Sequence, residues 1–157
     1  THPSTLTEVS KIKIEGYERS HPVHSDGIEL DQKKGLLYYC ALMGENVYRI
    51  PTRALLDENL SETVLGEQVE LFAKTGANDG IIFDGKGNLY LSSLERNAIS
   101  RVDLKGNFEE VINDTKIKWP DSFAFDSNEH LYFTTSQIHL PKEKRESYKI
   151  FKLQIKQ

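Results

Sequence analysis

The stretch NDGIIFDGKGNLYLSSL, residues 78–94, decides the fold because two other segments repeat its pattern. These are SDGIELDQKKGLLYYCAL, residues 25–42, and PDSFAFDSNEHLYFTTS, residues 120–136. In each segment the second residue is an aspartate, followed by a small residue, three mainly apolar residues and a second aspartate. A polar turn, Leu-Tyr and an apolar run complete the unit. Self-similarity of this kind indicates a repeat architecture.

Each repeat has the pattern of a small antiparallel sheet. Asp-Gly and polar tetrapeptides beside apolar runs are typical of tight turns and hairpin loops. A third run, rich in the β-branched and aromatic residues that strands favour, follows each pair and begins at Val47, Ile99 and Tyr148. Fourth strands are predicted around residues 69–73, 108–112 and 11–14. Repeated four-stranded sheets of about 40 to 50 residues are typical of β-propeller blades.

The predicted fold class is therefore all-β, with about three four-stranded antiparallel blades and no second domain. The blade repeats are placed at approximately residues 10–65, 66–112 and 113–157. The segment TRALLDENLSE, from Thr52, contains good helix formers over a short run and predicts a helical turn in a connection. A helical-repeat solenoid is the structural alternative.

Composition excludes several classes of protein. The chain has 157 residues, 38% of them hydrophobic, which is typical of a soluble globular protein. Its formal charge of -4, with acidic and basic residues intermixed, provides no basic stripe for nucleic acid. We find no apolar run near the roughly 20 residues of a membrane-spanning helix. Cys40, the single cysteine, excludes an internal disulfide framework and is interpreted as a small buried hydrophobe.

Four longer stretches cover nearly the whole chain: HPST near the start, SDGIEL followed by LLYYCALMGENVYRIPTRAL, NDGIIFDGKGNLYLSSLERNAISRVD, and WPDSFAFDSNEHLYFTTSQIH. Together they resemble the bacterial members of the yellow/major royal jelly protein family. The resemblance implies a six-bladed propeller of which this chain is the C-terminal half, a secreted or periplasmic location, and a small-molecule ligand, such as an amine, in the channel mouth.

Three blades alone leave an open edge strand on each side and half of a channel exposed. We therefore expect a partner for both open sides. One hypothesis is a missing N-terminal half of the same polypeptide, which the start at Thr1 rather than Met favours. The other is a second copy of the chain.

The first aspartates of the repeats are the sharpest functional candidates. Asp26, Asp79 and Asp121 stand 53 and 42 residues apart, each at the entry to the first strand of its repeat. In a propeller these entries lie at one channel mouth, so the three carboxylates are predicted to point toward a common region. They would repel one another unless a cation, an amine or a basic side chain lies among them. The alternative is that each aspartate caps its own turn.

Two features refine this set. The Trp-Pro-Asp context of Asp121 departs from a simple Asp-Gly turn and makes it the strongest candidate. The second aspartates precede polar hairpin loops and are interpreted as turn residues away from the mouth; they are Asp31, Asp84 and Asp126.

Neutral groups near the same entries could supply further ligands. Hydroxyl candidates are Ser92, Ser93, Thr134 and Thr135, although such residues are also ordinary on half-exposed strands. Trp119 is predicted to be either packing or one wall of an apolar pocket. The full predicted ligand-binding set is Asp26, Asn78, Asp79, Trp119, Asp121, Thr135 and Gln137.

A divalent cation is the predicted cofactor if there is one, because oxygen ligands of this kind suit Ca²⁺. A broader resemblance to the regucalcin-like gluconolactonases, whose metal is held by an Asn and an Asp from such loops, implies Asn78 and Asp121 as metal ligands. Pro120-Asp121 matches their PDG motif with Ser122 in place of Gly. Asn78 is followed by Asp79 before the glycine, so their Asn-Gly loop is only approximated.

Three functions remain open from the sequence. The first is a small-molecule-binding propeller with its ligand at the channel mouth. The second is a divalent-metal-dependent, lactonase-like hydrolase, in which a cation polarises the carbonyl. The third is a protein-interaction scaffold. Separately, HPVHSD brings His21, His24 and Asp26 together and forms a candidate transition-metal site.

Overall fold

A computed structural model describes residues 12–14, 17 and 23–155 of the chain. Their secondary structure is almost entirely β, in three separate antiparallel sheets that follow one another along the sequence. This order confirms the predicted all-β architecture built from consecutive propeller blades.

The first sheet contains four strands in sequence order, β1 (Ser25–Asp31), β2 (Leu36–Ala41), β3 (Asn46–Pro51) and β4 (Glu70–Lys74). Two short helices, α1 (Thr52–Leu55) and α2 (Glu62–Glu67), connect β3 to β4. The helical turn predicted from Thr52 is confirmed, and α2 adds a second one, capped by the Ser61 hydroxyl on the Val64 N–H. Because β4 pairs with β3, residues 70–74 belong to the first sheet, whereas the predicted division at residue 66 placed them in the second repeat.

The second sheet also has four strands, β5 (Asn78–Phe83), β6 (Leu89–Ser93), β7 (Ala98–Val102) and β8 (Phe108–Asn113). A 3₁₀ turn at Leu94–Arg96 joins β6 to β7. The third sheet comprises β9 (Pro120–Phe125), β10 (His130–Thr135) and β11 (Ile150–Gln154), with a 3₁₀ turn at Lys142–Lys144 before β11.

The predicted strand around residues 11–14 is wrong for residues 12–14, which the structure describes. Ile12–Ile14 lies outside any strand, and the third sheet has three strands within the described residues. Ile12 is instead buried against apolar side chains from the loops of the first two sheets and against Trp119. The apolar alternation of this segment therefore reflects packing onto loops rather than pairing in a sheet.

The first strands of the three sheets, β1, β5 and β9, lie side by side. A Cβ atom placed on Gly27 would lie 2.6 Å from the Asp79 carbonyl oxygen, and one on Gly80 only 1.8 Å from that of Asp121. Glycine is required at both positions because the neighbouring main chain occupies the space of a side chain. The repeated small residue thus has a packing cause.

Two apolar layers hold the sheets together. Between the first and second sheets, Tyr38, Val47, Leu89 and Leu91 are fully buried, and Tyr38 contacts Phe83 edge-to-face at 4.9 Å. The same contact recurs between the second and third sheets, where Tyr90 meets Phe125 at 5.4 Å. The repeated Leu-Tyr pair therefore supplies one residue to each face of its sheet: the leucine faces the preceding sheet and the tyrosine the following one.

The hairpin loops at the far end of the first strands confirm the turn role of the second aspartates. Asp31 accepts a hydrogen bond from the Lys34 N–H, and Asp84 accepts from the Lys86 and Asn88 N–H groups. Asp126 accepts from the Asn128 and His130 N–H groups. These are turns closed by a carboxylate on nearby main chain.

Asp126 leads to a prediction about acid stability. Hydrogen bonds from the main chain and ring of His130 lower the pKa of Asp126 to about 2. A carboxyl whose pKa is lower in the folded than in the unfolded chain stabilises the fold above its unfolded value. That contribution is lost as the pH falls from about 4 to about 2. We expect the thermal midpoint of Asp126→Asn to fall less steeply than that of the wild type over this range. Identical slopes for wild type and Asp126→Asn would contradict the assignment.

Candidate functional site

The predicted channel aspartates occupy equivalent positions at one end of the first strands. Asp26, Asp79 and Asp121 are each the second residue of their strand, and the main chains of consecutive repeats touch there through Gly27 and Gly80. Asp26 is exposed, whereas Asp79 and Asp121 are half-buried. We call this end of β1, β5 and β9 the mouth.

An irregularity in strand pairing shapes the mouth in every sheet. The register shifts between Ser25 and Ile28 in the first sheet and between Asn78 and Ile81 in the second. A corresponding shift occurs at the start of β9 in the third. Such bulges leave main-chain N–H groups without a partner in the sheet.

A side chain from the neighbouring strand fills each bulge. Ser92 Oγ accepts hydrogen bonds from both the Asp79 N–H at 2.8 Å and the Gly80 N–H at 2.9 Å. Thr134 Oγ1 accepts from the Ser122 N–H at 3.2 Å. In the first sheet Cys40 Sγ occupies the corresponding position beside Gly27, and its thiol donates to the Asn78 carbonyl at 4.0 Å. The hydroxyls of Ser92 and Thr134, considered above as ligands, therefore bind main chain.

The pKa of Cys40 is affected by the negative charges at the mouth. Burial, together with the negative charges of Asp26 and Asp79, raises the pKa of its thiol to about 12. The sulfur is therefore protonated and inaccessible, in agreement with its structural interpretation. Two carboxylates from different sheets act on this one sulfur, so they share the same electrostatic environment.

Asp79 is bound by a residue from the next sheet. Its Oδ2 accepts a hydrogen bond from Trp119 Nε1 at 2.6 Å. Trp119 is completely buried and packs against Tyr17, at a ring-centroid distance of 5.0 Å, and against His139, at 5.6 Å and nearly parallel. Trp119 is thus a buried packing residue that also binds the half-buried Asp79 carboxylate. The sequence offered no sign of the contributions of Tyr17 and His139, which lie far from it along the chain.

His139 is a buried histidine beside basic groups. Burial lowers its pKa, and the positive charges of Lys118 and Arg145 lower it further. Its Nδ1 has no hydrogen-bond partner among the described residues. At neutral pH the ring is therefore uncharged and available for stacking on the indole.

Asn78 is buried and directed into its own loop. Its Nδ2 donates to Thr75 Oγ1 at 2.8 Å and to the Gly76 carbonyl at 2.6 Å. Its Oδ1 has no hydrogen-bond partner within the described part of the chain. A buried amide oxygen without a partner is costly and marks a position where a ligand, ion or water would be stabilised.

Asp121 and the remaining candidates have local partners. Asp121 Oδ1 accepts from Ser122 Oγ at 3.1 Å. Both ends of the Gln137 amide bind the main chain of Glu146, at 2.9 and 3.2 Å, and so close the loop between β10 and β11. Thr135 is buried and lines a surface cavity of about 440 Å³ together with Tyr148 and Ile150. Ser93, the other hydroxyl candidate, shares a 2.7 Å hydrogen bond with Ser100.

A second cavity, of about 380 Å³, opens beside the loop that Asn78 braces. It is lined by residues of both charges, of which Lys74 and Glu45 form an ion pair at 3.5 Å. The lining residues are Lys13, Glu45, Lys74, Thr75, Gly76, Ala77, Glu95 and Arg96.

The predicted metal ligands Asn78 and Asp121 each form a hydrogen bond within the protein. Among residues 12–14, 17 and 23–155, no group of three or more His, Cys, Asp or Glu side chains is placed to hold an ion. His21 of the HPVHSD candidate lies outside the described residues, so that hypothesis is not tested. None of the helices described is long and apolar enough to cross a membrane.

Comparison with known proteins gives a family and a fold. The model of the family described as "Major royal jelly protein" matches residues 3–157. No curated protein sequence is similar enough to count as a match. Among solved structures, a gluconolactonase from Xanthomonas campestris is similar with a TM-score of 0.64 and 16% identity over 98% of this chain and 51% of that one.

Two other solved structures extend the fold comparison. A regucalcin from Agrobacterium tumefaciens, described as a calcium-binding protein, has a TM-score of 0.62 and 18% identity over 83% of this chain and 45% of that one. A virginiamycin B lyase from Staphylococcus aureus has a TM-score of 0.55 and 12% identity over 88% and 44%. The chain thus spans about half the length of these similar structures.

Proposed function

Because the chain belongs to the major royal jelly protein family, we propose that it binds a small cationic molecule, such as a protonated amine, at the mouth of a propeller channel. The observation that carries the proposal is the equivalent placement of Asp26, Asp79 and Asp121 on strands that pack side by side. Neighbouring carboxylates favour a positive charge between them. The family resemblance also supports a secreted or periplasmic location.

The contacts at the mouth support a binding role. Asp79 accepts from an indole N–H, and Asp121 accepts from a serine hydroxyl. These donors are neutral, so these two bonds orient the carboxylates and add no positive charge beside them. A protonated amine has several hydrogen-bond donors and a full positive charge. The carboxylates at this end of the strands would accept its hydrogen bonds and balance its charge.

The proposal can be tested by isothermal titration calorimetry with tyramine as the probe. We expect heat of binding with the wild type, an affinity at least roughly tenfold lower with Asp121→Ala, and little change with Asp103→Ala. Asp103 is a suitable control because its carboxylate binds Asn107 in the turn between β7 and β8, at the far end of the sheet. Equal affinities for all three proteins would overturn the proposal.

A divalent cation is the second candidate, and one observation favours it. The buried Oδ1 of Asn78 lacks a partner among the described residues, and amide oxygens are among the ligands that Ca²⁺ takes. In that case the chain would be a lactonase-like hydrolase, with Asn78 and Asp121 as ligands and a bound ion supplying the polarising charge. A CaCl₂ titration that gives heat, where tyramine gives none, would favour this function instead.

The rest of the channel is proposed to come from further blades. The outward face of the first sheet exposes Ile28 by 61%, Leu30 by 42% and Leu71 by 61%. The equivalents of the first two in the second sheet, Ile81 and Phe83, pack against the first sheet. Either a further part of the same polypeptide or a second copy would cover this face.

The isolated 157-residue chain is therefore expected to self-associate. Light scattering after gel filtration should give a mass above the 18.0 kDa of one chain. Ile28→Glu should shift the protein toward the monomer because a charge would be buried in the contact. Leu104→Glu, at a residue 59% exposed in the turn between β7 and β8, is the matched control. A stable wild-type monomer would contradict the need for a cover.

A further inference from the structure

Trp119 combines features that packing alone does not explain. It is the only tryptophan of the chain and is completely buried, yet its backbone has φ of 57°. A bulky residue other than glycine rarely adopts this left-handed conformation, which costs about 1–3 kcal/mol. The surrounding structure must therefore hold it in place.

Several contacts provide that restraint. The Trp119 carbonyl accepts from the Ser136 N–H at 3.0 Å, which fixes the backbone beside the strained residue. The ring packs against Tyr17 and stacks on His139, within a buried cluster that includes Leu94 and Ala77. The orientation of the indole is thus set by residues that are distant from Trp119 along the chain.

The one polar atom of the indole, Nε1, donates a hydrogen bond to Asp79. The Nε1–Oδ2 distance of 2.6 Å is short for such a bond, as expected when the acceptor is charged. This bond joins Trp119, the residue before the third sheet, to Asp79 in the second sheet. Asp121, by contrast, accepts a hydrogen bond from the hydroxyl of the adjacent Ser122. Asp79 is therefore oriented by a rigid group from a neighbouring blade.

We propose that Trp119 is a positioning residue for the mouth, which holds the Asp79 carboxylate in the orientation that receives a cationic ligand without touching that ligand itself. The inference rests on the proposed function for its effect on binding. Tyr17 and His139 act through Trp119, because they fix the plane of its ring. The same stack makes the loop between β10 and β11, which carries His139, part of the support of the site.

The test of binding uses Trp119→Phe, which keeps an aromatic ring in the stack and removes the N–H. We expect roughly tenfold weaker tyramine binding, the effect of losing one hydrogen bond to a charged group. Tyr90→Phe is the matched control, because it removes the polar atom of another completely buried aromatic residue away from the mouth. Its affinity should stay within about twofold of the wild type.

A double-mutant cycle separates positioning from general destabilisation. In an Asp79→Asn background, Trp119→Phe should have no further effect on tyramine affinity, because the carboxylate that it positions is gone. Equal effects of Trp119→Phe in both backgrounds would show that it acts through the fold and would overturn the inference.

A measurement without ligand keeps the inference testable if tyramine does not bind or Trp119→Phe does not fold. The single tryptophan gives one indole N–H signal in a ¹H–¹⁵N spectrum. We expect that signal to be downfield and protected from exchange in the wild type, to lose both properties in Asp79→Ala, and to keep them in Asp103→Ala. An indole signal unaffected by Asp79→Ala would overturn the positioning role, whereas failure of tyramine to bind the wild type would overturn only the proposed function.

Discussion

Replacing Gly80 with alanine is expected to lower the free energy of unfolding by about 3 kcal/mol or more, at the upper end of what overpacking costs. The new Cβ would lie 1.8 Å from the Asp121 carbonyl oxygen and 2.9 Å from its carbonyl carbon. Both are main-chain atoms, so no side-chain rotation can relieve the clash, and β5 and β9 would have to separate. Urea unfolding followed by circular dichroism measures the loss.

Gly85→Ala is the matched control for this prediction. Gly85 lies in the hairpin loop at the other end of β5, and the nearest atom to its added Cβ is the end of the Glu129 side chain at 3.8 Å. We expect a change within about 0.5 kcal/mol. A Gly80→Ala protein as stable as Gly85→Ala would show that the first strands are not in direct contact.

The same contact shows why the repeats could be recognised from the sequence. A glycine or another small residue after the first aspartate recurs because consecutive strands touch at that point. The third repeat has Ser122 there, and Ser122 is exposed, because the described residues form no further sheet beyond the third. Local pattern therefore predicted the three sheets, their turns and the mouth position of the first aspartates.

The partners of those aspartates could not be predicted in the same way. Trp119 lies 40 residues from Asp79 in sequence, and the contact depends on how the second and third sheets pack. Tyr17 lies still further from Trp119, in a segment whose apolar residues resemble those of a strand. A periodic pattern identifies which residues are buried but does not identify their neighbours across sheets.

The repeated sequence pattern gave no sign that the aspartates bind different partners. The three aspartates share a position, but Asp79 binds an indole from another sheet and Asp121 binds an adjacent hydroxyl. Gln137, a predicted ligand just beyond the second strand of its repeat, closes a loop through hydrogen bonds to the main chain of Glu146. A repeated turn thus establishes architecture, whereas the role of each residue depends on contacts that are not repeated.

Replacing Ser92 with alanine is the second change with a large expected effect, a loss of about 2–4 kcal/mol in the free energy of unfolding. Ser92 is completely buried, and its Oγ is the acceptor for the Asp79 and Gly80 N–H groups. Alanine would leave two donors without a partner, and each such group costs about 1–3 kcal/mol. The sequence presented this hydroxyl as a candidate ligand, so the prediction also separates that hypothesis from the structural role.

Thr134→Ala removes the equivalent group of the third sheet and is the matched control. Its hydroxyl accepts from one N–H, that of Ser122, which is exposed, so water can replace it and the loss should be below about 1 kcal/mol. Ser92→Cys should fall between the two, because the first sheet already has a sulfur, Cys40, at this position. Thermal and urea unfolding give the order. If Ser92→Ala weakened tyramine binding while leaving stability unchanged, Ser92 would be a ligand and the bulge-filling role would be wrong.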